Sequence, residues 1–276
     1  MTDAEGFTAG SMSAANADVF ATALDRQAEM DLIRDLREWC RSRLGLRPGA
    51  TAVDVGCGTG AELLELARLV QPGGRAIGVD ANQPMLAIAR HRSSGIPGVE
   101  VVAGEASELG RLESGSVDAI VCERVVQHLT YDPVRAFREF ARVLAPAGVL
   151  AVTDTDWSSA RLVVRGDEAA TEYLRELREK LPVRPLANQL AGLKLEEYCV
   201  AAGLEVVARR TGTLGNLAAA LLQGARDGIL ALAAAHLTPG ERDEAARTLN
   251  AVLDDGRLEL TVDLYAVLAR RPLAHS

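Results

Sequence analysis

Three glycines that follow an apolar run are the residues in this sequence best placed to bind a ligand. Gly56, Gly58 and Gly60 come directly after the apolar run 51–55, and a segment with apolar residues at helical spacing begins at Ala61. This order predicts a strand, a tight turn and a helix. Glycine allows positive φ and close approach of the backbone to a ligand, and the start of the helix offers unpaired N–H groups. A nucleotide-like ligand suits such a turn.

Two kinds of cofactor are compatible with this turn. With Ala61 after the glycines and Asp80 further along, the chain also satisfies the loose G-x-G-x-x-G/A fingerprint of dinucleotide-binding proteins. However, Asp54 lies within a run that should be buried, and Glu62 lies in the first turn of the helix. Both carboxylates would repel a pyrophosphate and attract the ammonium group of a bound amino acid. They favour a sulfonium amino-acid cofactor.

The segment 53–60, Val-Asp-Val-Gly-Cys-Gly-Thr-Gly, resembles the first motif of class I S-adenosylmethionine-dependent methyltransferases. Four later segments resemble the following strands of that family in the same order, namely 76–86, 101–106, 116–129 and 138–150. The resemblance covers roughly residues 44–156. It is closest to the ubiquinone/menaquinone-methyltransferase-like branch, many of whose members act on small natural products. It implies an α/β fold with a doubly wound, mostly parallel, seven-stranded Rossmann-like sheet and helical insertions that form a cap.

The resemblance also implies which residues bind S-adenosylmethionine. Asp80, at the carboxyl end of the second strand, would accept the ribose hydroxyls, although Asp80 or Asn82 could instead cap the next helix. Glu105 would meet the adenine amino group or be a solvated strand end, and Met85 would line the cofactor or belong to the core. The implied cofactor-binding residues are Asp54, Gly56, Cys57, Gly58, Gly60, Asp80, Ala81, Met85, Gly104, Glu105, Ala106, Glu123 and Arg124.

The loop after the fourth strand should face the transferred methyl group. His128 could take a proton from an attacking hydroxyl or amine, or it could make a structural hydrogen bond within a helical turn. Asp156 and Trp157 follow the fifth strand at the same edge of the sheet, where they could contact an acceptor. Trp157 could instead only cover the sheet edge.

The acceptor is predicted to be a small organic molecule. The residues at 122–125 are Cys-Glu-Arg-Val, which is unlike the Asn/Asp-Pro-Pro-aromatic signature of enzymes that methylate DNA adenine or glutamine-type amides. We therefore predict methyl transfer in natural-product or secondary metabolism. A cyclase that keeps the cofactor without consuming it is an alternative, and an NAD(P)-dependent oxidoreductase is a further one.

Composition narrows the class of protein. Hydrophobic residues make up 48% and charged residues 25% of the chain, which is typical of a globular protein, and no apolar run is long enough for a membrane span. The net charge of −8 disfavours a nucleic-acid partner. Four widely separated cysteines predict neither a zinc site nor a disulfide framework. The N-terminus, with Asp3 and Glu5, does not resemble a targeting signal, so we expect a cytoplasmic protein.

The chain divides into three parts. Residues 1–17 are expected to be disordered, and residues 18–47 to form helices that either close over the cofactor or pack on the sheet. Residues 48–276 are expected to form the methyltransferase domain, with helical insertions at about 158–190 and 214–255. The second insertion would form a lid or a homodimer face. The alternating run 258–269 predicts a last strand, antiparallel at the end of the sheet.

Overall fold

The computed structural model describes residues 17–181, 187–215, 230 and 233–273. The expected disorder of residues 1–17 lies outside these residues, except for Ala17, which begins the first helix. Most of the apolar half of the second predicted insertion also lies outside them. In the described part of the chain, no helix is both long enough and apolar enough to cross a membrane.

One sheet organises the described chain. Its strands are β1 (Thr51–Val55), β2 (Arg75–Asp80), β3 (Val99–Ala103), β4 (Val117–Glu123), β5 (Leu144–Val164), β6 (Glu205–Leu214) and β7 (Leu258–Arg270). They lie in the order β3-β2-β1-β4-β5-β7-β6. The first five are parallel, and β7 is antiparallel to both β5 and β6. The doubly wound, mostly parallel seven-stranded fold is therefore confirmed.

Helices cover both faces of this sheet. They are α1 (Ala17–Ala28), α2 (Asp31–Arg41), α3 (Ala61–Val70), α4 (Gln83–Arg92), α5 (Val134–Val143), α6 (Glu168–Lys180), α7 (Leu195–Ala201) and α8 (Pro239–Asp254). On one face α5 and α7 bury apolar side chains such as Phe137 and Leu195 against the sheet. On the other face α2 and α3 bury residues such as Leu36 and Leu66. The apolar positions of α2 and α3 recur at helical spacing, which explains why these segments are amphipathic helices.

The order of the strands reverses between β1 and β4. From β1 the chain adds β2 and β3 on one side, and then returns to place β4 and β5 on the other. The carboxyl ends of these parallel strands meet at one edge, and a crevice forms where the direction of strand addition changes. β1 and β4 are mostly apolar and mostly buried, as central parallel strands usually are. The crevice is therefore the natural binding site of this fold.

The fifth strand is much longer than the sequence suggested. A helical insertion from about residue 158 was predicted, but β5 continues to Val164, and α6 begins only at Glu168. The prediction was wrong because residues 161–164 pair with residues 258–261 of β7, beyond an irregularity at 157–160. Pairing with a strand about 100 residues away cannot be recognised from a local pattern.

The last strand also differs from its prediction. β7 is antiparallel, as expected, but it lies between β5 and β6 rather than at the end of the sheet. The reason is its composition, because most residues near its carboxyl end are buried, whereas β6 exposes Arg209 and Arg210. Charged residues suit an edge strand, since they discourage pairing with further strands.

A third apolar core is distinct from the two cores that flank the sheet. It is formed by α6, α8, the outer ends of β5 and β7, and three residues between β6 and α8, namely Leu230, Ala233 and Leu237. Its fully buried members are Val164, Leu174, Leu177, Leu181, Ala233, Ala245, Leu249, Val252 and Leu258. We call this group of elements the cap. It is a small unit with its own hydrophobic centre, joined to the main sheet by the two continuous strands.

Candidate active site

The glycine turn between β1 and α3 has the backbone that the sequence predicted. Gly56, Gly58 and Gly60 have backbone φ angles of 72°, 51° and 84°, which residues with a Cβ rarely adopt. A Cβ on Gly56 would lie 2.1 Å from Cγ2 of Val125, which follows β4. The backbone of the turn therefore closely approaches the end of β4, and Gly60 forms the N-cap of α3.

Asp80 connects the end of β2 to this turn. Its Oδ2 accepts a hydrogen bond from the Gly58 N–H at 2.8 Å, and its Oδ1 accepts one from the Asn82 N–H at 2.8 Å. The helix cap is Asn82 instead, whose side chain accepts from the Met85 N–H at 3.1 Å. A carboxylate has about four acceptor positions, so Asp80 can still accept hydroxyl groups of a ligand. Burial raises the pKa of Asp80, while these N–H groups act to lower it.

Asp54 is the unusual residue of the site. It lies in β1, it is 3% exposed, and its Oδ2 has no hydrogen-bond partner among the residues that the structure describes. Burial raises the pKa of Asp54 well above its ordinary value, and the Glu62 carboxylate acts in the same direction. A buried acid without a partner is costly, so this position fits a cationic group of a ligand. The residues present therefore suit a cofactor with an ammonium group.

Helix α2 carries two arginines, Arg37 and Arg41, that contact acidic residues of the site. Neither arginine was predicted from the sequence. Arg37 donates from Nε and Nη2 to the two carboxylate oxygens of Glu123, at 2.6 and 3.0 Å. Arg41 donates to Glu62 Oε2 at 2.7 Å, and Arg124 donates to Glu123 Oε1 at 3.1 Å. Ion pairs thus join α2 to α3, the helix that follows the glycine turn, and to the end of β4.

The charges in this cluster set the pKa values of its members. Burial acts to raise the pKa of Glu123, but Arg37 and Arg124 outweigh it and hold that pKa below its ordinary value. Burial acts to lower the pKa of Arg37, but Glu123 and Glu62 keep it above its ordinary value. Burial raises the pKa of Glu62 to about 7, against the opposing effect of Arg41. Glu123 and Arg37 are therefore a charged pair at neutral pH.

Helix α1 lies beside the glycine turn. Asp25 forms a bidentate pair with Arg92 of α4, at 2.8 and 2.7 Å. Leu24 lies 3.7 Å from the position that a Cβ on Gly58 would occupy, and Gln27 accepts a hydrogen bond from Arg124. The N-terminal helices were expected either to close over the cofactor or to pack on the sheet. These contacts favour the first role, because they place α1 over the glycine turn.

The predicted adenine-side residues lie around the ends of β2 and β3. Gly104 donates its N–H to the Asp80 carbonyl at 3.0 Å, Glu105 is exposed just beyond the strand, and Ala106 is buried. Met85 is buried, whereas Ala81 is half-buried next to Asp80. The structure thus brings the predicted cofactor residues to one edge of the sheet. Cys57 is buried as well, and burial raises the pKa of its thiol.

The predicted acceptor residues lie in two places. His128 belongs to the turn 126–128, which is a short 3-10 helix, and Asp156 and Trp157 lie where the pairing of β5 with β7 becomes irregular. His128 is half-buried in this turn. Trp157 donates its indole N–H to Gln127 Oε1 at 2.5 Å. Asp156 is buried, and its Oδ1 accepts from the N–H and hydroxyl of Ser158 at 3.0 and 2.6 Å. Trp157 is therefore fixed to the turn that carries His128.

Asp154 is a buried acid of this region that the sequence analysis did not select. Its Oδ2 accepts from the Gln127 N–H at 3.2 Å, and its Oδ1 accepts from the Thr155 N–H at 2.8 Å. Burial raises its pKa to about 7, while these N–H groups act to lower it. Its role is to bond the turn 126–128 to β5. An acid at the end of an apolar strand was a signal that could have identified it.

Comparison with known proteins agrees with this geometry. A family described as a methyltransferase domain matches residues 53–152. An uncharacterized 37.1 kDa protein in transposon TN4556 of Streptomyces fradiae is 37% identical over 183 residues, which are 66% of this chain and 51% of that protein. The demethylmenaquinone methyltransferase of Staphylococcus aureus is 32% identical over 112 residues, 41% of this chain and 46% of that enzyme. The chain thus spans about half the length of these curated relatives.

Solved structures share the fold. The cyclase SpnF superposes with a TM-score of 0.53 at 24% identity, covering 87% of this chain and 82% of SpnF. The geranyl diphosphate C-methyltransferase of Streptomyces coelicolor, solved with S-adenosyl-L-homocysteine, gives a TM-score of 0.53 at 16% identity, covering 87% and 78%. At these identities the likeness concerns the fold alone.

Proposed function

The chain belongs to the class I S-adenosylmethionine-dependent methyltransferases, and from this premise we propose that it transfers a methyl group from S-adenosylmethionine to a small organic acceptor. The observation that carries the proposal is the unpartnered Asp54 oxygen beside the glycine turn. A pyrophosphate would be repelled there, whereas an ammonium group would gain a charge partner.

We assign a part of the cofactor to each group of residues at the crevice. Asp80 would accept the ribose hydroxyls, since it is already fixed by the Gly58 N–H and retains free acceptor positions. Gly104, Glu105 and Ala106 would border the adenine. Asp54 and the backbone at Glu123 and Arg124 would hold the amino-acid end. The positive φ of Arg124, 55°, turns the chain sharply at this point.

The chemistry that S-adenosylmethionine supplies when bound is a methyl group on a positively charged sulfur, which departs as a neutral thioether. The protein's part is then mainly to hold the acceptor in line with this methyl group and to exclude water. His128 lies in the turn after β4, where it would accept the acceptor's proton. Trp157, fixed by Gln127, would form a wall of the acceptor site, and Asp156 would border it.

We place the reaction in natural-product or secondary metabolism, in keeping with the predicted small acceptor. The cap supports a small acceptor, because α6 packs on β5, the strand that carries Asp156 and Trp157, and α8 shares the apolar core of α6. Elements added beyond the carboxyl ends of a parallel sheet commonly shape the ligand site.

Calorimetric titration tests the cofactor assignment. We expect the purified protein to bind S-adenosylhomocysteine and not to bind NADH or NADPH. Binding of a nicotinamide cofactor alone would overturn the proposal.

The reaction itself is tested by incubating the protein with S-adenosylmethionine and a set of small natural products. Formation of S-adenosylhomocysteine together with a product heavier by one methylene is expected, whereas turnover without S-adenosylhomocysteine would indicate the cyclase alternative.

A further inference from the structure

A short segment, residues 187–192, contacts both parts of the proposed acceptor site, the turn after β4 and the irregular part of β5. We call it the bridging segment. Its Asn188 donates its backbone N–H to the Gln127 carbonyl at 3.1 Å, and its Gln189 carbonyl accepts the backbone N–H of Trp157 at 2.8 Å. Trp157 in turn donates its indole N–H to Gln127 Oε1. These three hydrogen bonds close a ring that joins both parts of the acceptor site to the bridging segment.

Gln127 uses all of its polar groups in hydrogen bonds. It is buried, and its N–H donates to the Asp154 carboxylate at 3.2 Å. Its side-chain Nε2 donates to the Arg124 carbonyl at 3.3 Å, and the ring uses its carbonyl and its Oε1. His128 follows Gln127 directly in the same turn. The position of the His128 imidazole therefore depends on how firmly Gln127 is held.

The bridging segment is itself anchored at two points. Near one end, the Asn188 side chain donates from Nδ2 to the hydroxyl of Tyr198 at 3.1 Å. Tyr198 belongs to α7 and is buried, and the centroid of its ring lies 5.5 Å from that of Phe137. At the other end, a Cβ on Gly192 would lie 2.6 Å from the Asp154 carbonyl oxygen, so the backbone of the segment packs directly on β5. The segment is therefore fixed both to the apolar core and to the sheet.

Asn188 connects these two sets of contacts, because its backbone bonds the turn while its side chain bonds the core. We propose that Asn188 is a positioning residue of the acceptor site, which holds Trp157 and the turn carrying His128 in place, an inference that rests on the proposed function. Methyl transfer depends mainly on alignment of the acceptor, and a displacement of about 1 Å can lower a rate about 100-fold. None of these contacts involves the glycine turn or Asp80, so loss of the Asn188 side chain should leave cofactor binding unchanged.

Two substitutions remove the same hydrogen bond from opposite sides. Asn188→Ala deletes the donor, whereas Tyr198→Phe deletes the hydroxyl and keeps the ring that packs in the core. In either variant, we expect amide hydrogen exchange, measured by mass spectrometry, to become roughly 3- to 10-fold faster in peptides that contain residues 126–128 or Trp157, the effect of one lost hydrogen bond. Peptides of the glycine turn should keep the wild-type rate. The double variant should exchange no faster than either single variant, because all three lack the same bond.

Two further variants separate positioning from a general loss of stability. Asn188→Asp keeps the bond with its direction reversed, since a carboxylate accepts from the Tyr198 hydroxyl, and it should restore the wild-type exchange rates. Glu196→Gln, which removes an exposed pair with Arg209 on the same helix as Tyr198, is the matched control and should leave exchange in the turn 126–128 unchanged. Exchange that is accelerated equally in the glycine turn would show that Asn188 only stabilises the fold. Unchanged exchange in Asn188→Ala would refute its role.

Kinetics and calorimetry separate this inference from the proposed function. With the natural product that the wild-type protein methylates, we expect kcat to fall roughly 10-fold or more in Asn188→Ala and to recover in Asn188→Asp. The calorimetric affinity for S-adenosylhomocysteine should stay unchanged in both variants. A wild-type kcat in Asn188→Ala would refute the positioning role and leave the proposed function intact. If the wild-type protein does not bind S-adenosylhomocysteine, the proposed function fails, and hydrogen exchange still decides whether Asn188 holds the turn.

Discussion

The Asp80 carboxylate and the Gly58 backbone N–H form a hydrogen bond of 2.8 Å, which joins the end of the second strand to the glycine turn of the first. The turn is therefore fixed before any ligand arrives. Such preorganisation lowers the conformational cost of binding, because the backbone need not be ordered by the ligand.

Replacing Asp80 tests its proposed contact with the ribose. We expect Asp80→Ala to weaken the affinity for S-adenosylhomocysteine by about 1.5–3 kcal/mol, because charge-assisted hydrogen bonds are lost. Asp118→Ala is the control, since Asp118 also accepts a backbone N–H, that of Thr51, but at the opposite edge of the sheet. Calorimetry measures both. An affinity unchanged in Asp80→Ala would remove the ribose assignment.

The glycine turn should tolerate no side chain at its first position. Gly56→Ala combines a φ of 72° with a Cβ 2.1 Å from Val125, so we expect a clear loss of thermal stability. Gly49→Ala has a similar φ of 87° but no atom within 4 Å of the added Cβ. It should therefore show only the cost of placing a residue with a Cβ in the left-handed conformation, about 1–2 kcal/mol. Equal melting temperatures for the two variants would contradict the close packing of Val125 on the turn.

Asp154 should make the stability of the protein depend on pH. Its pKa in the folded protein is about 7, above the ordinary value of an aspartate, because it is buried. The folded protein then holds a proton that the unfolded chain has lost, so this stabilisation is present at low pH and disappears as the pH rises through the folded pKa. The difference in unfolding free energy between wild type and Asp154→Asn should fall with pH by up to about 1.4 kcal/mol per unit.

Denaturant titrations at several pH values between about 5 and 8 measure this difference. The asparagine variant matches the size of the acid and keeps one acceptor oxygen for the backbone N–H groups. A difference that stays constant over this range would mean that Asp154 is ionised throughout.

The bond between Gln127 and Trp157 can be followed by fluorescence. The sequence contains two tryptophans, so Trp39→Phe leaves Trp157 as the sole tryptophan, which can be excited selectively. In this background we expect Gln127→Leu to change the emission of Trp157 and to cost about 1–3 kcal/mol, because the indole N–H loses its partner. Gln71→Leu, which removes hydrogen bonds to Gly74 and Pro97, is the control and should leave the emission as it was. No change in Gln127→Leu would show that Trp157 is held by other contacts.

The cofactor side of the site could be predicted because its residues are local in the sequence. The apolar run of β1, the positive-φ glycines and the acid at the end of β2 all follow one another within about 30 residues, and each has a direct structural reason. The switch in strand direction then brings them together, as is general for this type of sheet.

Arg37 could not be assigned in the same way, because a charged residue on an amphipathic helix usually faces solvent. A weak signal was present, since Arg37 follows Ile33 by one helical turn and stands next to Leu36, at the border of the buried face. What places it at Glu123 is the packing of α2 on the sheet, a contact between residues 86 positions apart. The length of β5 depends on a similarly distant pairing with β7.

The cap has its own hydrophobic centre, connected to the main sheet by the outer ends of β5 and β7. Substitutions in its core can therefore alter the shape of the cap while the glycine turn and Asp80 keep their geometry. Changes in α6 and α8 can therefore diversify the acceptor without altering the residues proposed to bind the cofactor. Libraries aimed at new products should begin there.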